Sequence, residues 1–95
     1  MTATRARGLG TRQRALLREA AAEISRACPW VTIDGDRRNV RTLVRRGLMA
    51  MTADLFAITP AGCLAVRRHD RKLAKEALAG FRRNMAEGQV MPWDV

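Results

Sequence analysis

The stretch "RRNVRTLVRR" holds five arginines, Arg37, Arg38, Arg41, Arg45 and Arg46, within ten residues. A guanidinium is a planar fork of donors that meets a phosphate, or the exposed edge of guanine, with two bonds at once. On a helical wheel Arg38, Arg41, Thr42 and Arg45 share one side, opposite Val40, Leu43 and Val44, while Arg37, Asn39 and Arg46 flank them. Thr42 adds a hydroxyl for a base edge and a methyl for a thymine methyl. Like charges this close repel one another unless a counterion joins them. The face is therefore read as a surface for a polyanion.

Other chemistries have little to work with. Cys28 and Cys63 are the only cysteines, and His69 is the only histidine. Their spacing fits no zinc motif. His69, Asp70 and Cys63 form no nucleophile-and-base set, and neither a carboxylate pair nor a Gly-rich phosphate loop occurs. Cys63 sits among small neighbours in a predicted first helical turn, which suits a core position. The reading is no enzyme, no catalytic residues, no metal, no cofactor and no evident small-molecule ligand.

Composition agrees with the arginine face. The chain has 95 residues, with 18 basic against 9 acidic side chains and a formal net charge of +9. All but two of the basic residues are arginine. So basic a small domain reads first as a nucleic-acid binder. Its length fits one domain that buries about two-thirds of its unfolded surface. The apolar residues are rich in Ala and Leu and there is no Tyr, which favours helices over a large sheet. No run of about 18 apolar residues and no secretory leader pattern is present, so a cytoplasmic, nucleoid-associated protein with no membrane contact is expected.

The elements that must carry these residues follow from spacing and punctuation. Residues 1–10 are a basic arm in which Arg5 and Arg7 are candidates for a phosphate backbone or a minor groove. Residues 11–88 form the domain, and 89–95 a loose tail containing Trp93. A first helix starts with Thr11 as N-cap and carries the stripe Leu16, Leu17, Ala20, Ala21 and Ile24 until Pro29 stops it. "WVTI" predicts a short strand from Trp30 to Ile33. Asp34 or Asp36 then caps a helix over 36–46, which ends at Gly47. Runs 48–51 and 55–59 predict a hairpin with the three-residue loop Thr52-Ala53-Asp54, and place Phe56 and Ile58 on one buried face. Thr59-Pro60 starts a last helix that runs from Pro60 to about Met85, with "RRHDRK" and Gly80 as places where it could break. Leu64 and Val66 would close the core. Leu73, Ala77, Leu78, Phe81 and Met85 mark a further apolar side.

With the order helix, strand, helix, hairpin, helix in place, "LVRRGLMAMTADLFAITPAG" resembles the hallmark of winged helix-turn-helix proteins. Leu43, Arg46, Gly47 and Leu48 match the end of a recognition helix, and Thr59, Pro60, Ala61 and Gly62 the restart after a two-stranded wing. The resemblance covers about Thr11 to Val66. It implies a mainly α fold with a small β-hairpin wing. Here that fold lacks a separate support helix, because only Cys28 to Gly35 lies between the first helix and the recognition helix. It also implies a sequence-specific double-stranded DNA-binding protein, a transcriptional regulator with helix 36–46 in the major groove. The DNA-binding residues would be Arg38, Arg41, Thr42 and Arg45, supported by Arg37, Arg46, Arg5 and Arg7. Such proteins often pair through terminal helices, so Leu73, Ala77, Leu78, Phe81 and Met85 would form a homodimer seam. One alternative is an excisionase-like architectural factor, assembling as a side-by-side oligomer on DNA. Another is a protein-binding adaptor or antiactivator on the same scaffold. The wing carries Asp54 and no Arg or Lys, so it is a poor phosphate contact.

Overall fold

The computed structural model describes residues 8–26 and 30–86, with side chains through residue 84. Arg5, Arg7, Cys28, residues 89–95 and the Met85 side chain lie outside the described residues. Helix α1 spans Thr11–Arg26 and buries the expected stripe, Leu16, Leu17, Ala20, Ala21 and Ile24. Its start differs from the expectation. Gly10, not Thr11, takes the cap position: its carbonyl accepts from the Arg14 N–H at 3.0 Å, and the Gln13 side chain accepts from the Gly10 N–H at 3.2 Å. That second bond is the return half of a capping box.

Strand β1 is only Val31–Thr32, helix α2 is Arg37–Arg45, and β2 (Met49–Thr52) and β3 (Leu55–Ile58) form the hairpin. The three strands make one antiparallel sheet in the order β1-β3-β2. Thr52 pairs with Leu55, so the hairpin loop has two residues rather than three. Ala53 takes the first loop position at a φ of 50°. That is the left-handed backbone a two-residue turn demands and glycine usually supplies. As the central strand, β3 buries Phe56, Ala57 and Ile58.

Helix α2 ends in a Schellman motif. The Leu48 N–H donates to the Leu43 carbonyl and the Gly47 N–H to the Val44 carbonyl, with Gly47 at a φ of 78°. Thr59 joins this turn to the next helix. Its hydroxyl donates to the Gly47 carbonyl at 2.8 Å and accepts the Gly62 N–H at 3.1 Å. Pro60 then opens α3 at a position that needs no backbone donor.

The predicted single last helix is two. Helix α3 covers Pro60–Arg67 and α4 covers Arg71–Ala86. Of the two expected break points, "RRHDRK" is the break and Gly80 is not. Asp70 causes the restart: its carboxylate accepts the Leu73 N–H at 3.0 Å, while its carbonyl accepts the Ala74 N–H. The turn lays α4 back along α1, the most extensive helix contact in the molecule. Ala74, Ala77 and Phe81 are buried there, and Leu73 and Leu78 pack partly against the same core. Two residues of the expected dimer seam are therefore core residues. Ala77 and Phe81 are inside the monomer, because the break turns the apolar side of α4 inward. Cys63 is also in the core, where burial pushes its thiol up to about 12.

Asp70 also pairs with Arg18 of α1 at 2.9 Å. The Leu73 N–H first, and Arg18 next, hold its carboxyl below the usual range. Asp36 is lowered chiefly by its hydrogen bond from Arg12. A lowered folded pKa means stability that is present above the unfolded value, about 3.9 for Asp, and lost as pH falls through the folded one. Thermal melts should therefore be flat near neutrality and decline in acid. The Asp36→Asn, Asp70→Asn double variant should melt lower at pH 7, with the gap to wild type closing in acid. A gap that persists unchanged to pH 2 would show that these carboxylates do not drive the acid loss.

Candidate nucleic-acid interface

Helix α2 is anchored from one side and open on the other. Val40 and Leu43 have no exposed surface, and Val44 is half-buried. Arg38, Arg41 and Arg45 are exposed, with Thr42 half-buried among them. None of the three arginines forms an ion pair with a described residue. The Thr42 hydroxyl donates to the Arg38 carbonyl at 3.1 Å, which leaves its oxygen as an acceptor.

The N-terminal end of α2 is pinned by charge. Asp36, the N-cap residue, makes no capping bond with its side chain. It instead takes a salt bridge from Arg12 and a 3.4 Å bond from Asn39. Arg37 reaches the hairpin, donating to Asp54 at 2.5 Å and to the Ala53 carbonyl at 3.3 Å. These contacts fix the angle of α2 against α1 and the hairpin tip. Arg37, a predicted DNA contact, is thus engaged within the fold. The predicted contact Arg46 is exposed just past α2, on a groove that Arg14 and Arg68 also line.

The structure sorts the cations by duty. Arg12, Arg18, Arg26 and Arg37 meet acids, and Arg83 donates to the Ser25 carbonyl at 2.9 Å to cap the end of α1. Sequence spacing alone could not make this division, since most partners are far apart in the chain. The basic side expected of the last helix, Arg67, Arg68, Arg71, Lys72, Lys75, Arg82 and Arg83, is exposed and is divided between α3 and α4 by the break. Among the described residues no group of three or more His, Cys, Asp or Glu could hold a metal ion, and no helix is long and apolar enough to cross a membrane.

No protein-family model, curated protein or solved structure matches the chain. The chain is a mainly helical domain with a small three-stranded antiparallel sheet, compatible with a helix-plus-hairpin fold.

Proposed function

We propose that this is a winged-helix protein that binds double-stranded DNA sequence-specifically and regulates transcription, with α2 in the major groove. One observation carries the reading: α2 is buried through Val40 and Leu43 while Arg38, Arg41 and Arg45 are exposed with no acidic partner among the described residues. A helix of about 10–12 Å diameter fits a groove about 12 Å wide. Arg41 and Arg45 are the choice for guanine edges. Thr42, as an acceptor, suits the amino group of cytosine or adenine. The hairpin tip contributes no cation, and its Asp54 is neutralised by Arg37. Its part is to brace α2.

With Ala77 and Phe81 buried within one chain, the proposal takes a monomeric reader as its working form. Repeated sites filled side by side, in the excisionase-like manner, suit such a reader. The test is electrophoretic mobility shift with genomic fragments near physiological salt. Wild type should prefer some fragments over random DNA. Arg41→Ala with Arg45→Ala should cost about 1–3 kcal/mol per lost base contact and relax the preference. Unchanged binding by the double variant overturns the assignment of α2. A ladder of shifts on one fragment indicates side-by-side filling, and a single shift indicates one site.

A further inference from the structure

A groove of about 410 Å³ runs where α3 meets α4. Its rim is Arg67, Arg71, Lys75 and Arg82, and its floor is Ala74 and Leu78. The groove adjoining it adds Leu64 and Arg68. No acidic residue among those described lines either one. The acids gather elsewhere: Glu19, Asp70 and Glu76 line the opposite α1–α4 groove, and Asp36 and Asp54 hold α2. The four rim cations form no ion pair with a described residue. Leu64, expected to close the core with Val66, is instead 56% exposed, the only exposed large hydrophobic residue among those described.

We infer that this groove docks an acidic amphipathic segment of a partner protein, with aliphatic side chains on Leu64 and Leu78 and carboxylates on the arginine and lysine rim. Charge complementarity selects an acidic occupant. The aliphatic floor selects against a nucleic-acid backbone, whose phosphates would meet the rim and leave Leu64 uncovered. From Arg71 to Arg82 the rim extends about 17 Å along α4, the length of about three helical turns. The surface lies on α3 and α4, not on the outer face of α2, so the inference stands or falls apart from DNA binding.

The probe is a fluorescein-labelled helical peptide of leucine and glutamate, with leucines on one face, titrated with the full chain by anisotropy at physiological salt. Saturable binding is expected. Arg71→Glu with Lys75→Glu should weaken it at least tenfold, Leu64→Ser several-fold, and Arg41→Ala with Arg45→Ala not at all. All these positions are exposed, and circular dichroism checks that each variant is folded. Equal binding of a scrambled peptide of the same composition overturns the proposal, because charge alone is then read. So does unchanged binding by the charge-reversed variant. It is also overturned if that variant loses a random-sequence duplex as strongly as it loses the peptide, since the surface is then a phosphate contact.

Discussion

Gly62→Ala is expected to destabilise the domain by about 3 kcal/mol, the upper end of what overpacking costs. A β-carbon there would stand 2.2 Å from the Leu48 carbonyl oxygen and 2.6 Å from Cγ1 of Ile58. The first obstacle is backbone, held in place on both sides. The Leu48 carbonyl accepts the Thr59 N–H, and the Leu48 N–H closes the turn after α2. Relief therefore requires α3 to move away from the α2–β2 corner. A loss of this size shifts the melting midpoint by roughly 12–24 °C for a chain of this length. Gly47→Ala supplies the scale. Gly47 has open space around it and a φ of 78°, so its substitution costs only backbone strain, about 1 kcal/mol. In urea melts of both variants, a Gly62→Ala midpoint no lower than that of Gly47→Ala would sink the close-approach argument.

Gly80→Ala carries the second large effect, and its sign is the informative part. An alanine replacing glycine inside a helix ordinarily stabilises by about 1 kcal/mol. At this position the new β-carbon would lie 2.2 Å from the Ile24 carbonyl oxygen and 2.8 Å from its carbon. The crossing of α1 and α4 would have to open. Opening it also pulls Arg83 from the Ser25 carbonyl it caps. A net loss of about 3 kcal/mol is expected, since the steric term exceeds the propensity gain. Far-UV circular dichroism during urea unfolding measures it. A variant as stable as wild type would mean that the two helices do not cross at glycine-to-carbonyl distance.

Much of the proposed interface is legible in the sequence. The arginine face of α2 and the buried positions Val40 and Leu43 follow from helical spacing. The restart at Thr59-Pro60 and the stop at Gly47 follow from local chemistry that acts within a few residues. The hairpin was legible too, but not its two-residue loop, because Ala53 occupies a left-handed position that sequence patterns reserve for glycine.

What the sequence by itself determined is the set of amphipathic elements and an excess of arginine too large to be self-neutralised. Those properties are local or additive, so they survive without knowledge of the fold. The tertiary structure alone decided which arginines are engaged. Arg37 meets Asp54, Arg18 meets Asp70 and Arg83 meets Ser25 across separations that no periodicity encodes. It also decided that the apolar side of α4 turns inward. A carboxylate at Asp70 stops one helix and starts the next, and α1 offers a carbonyl beside the one residue on α4, Gly80, that can accept it.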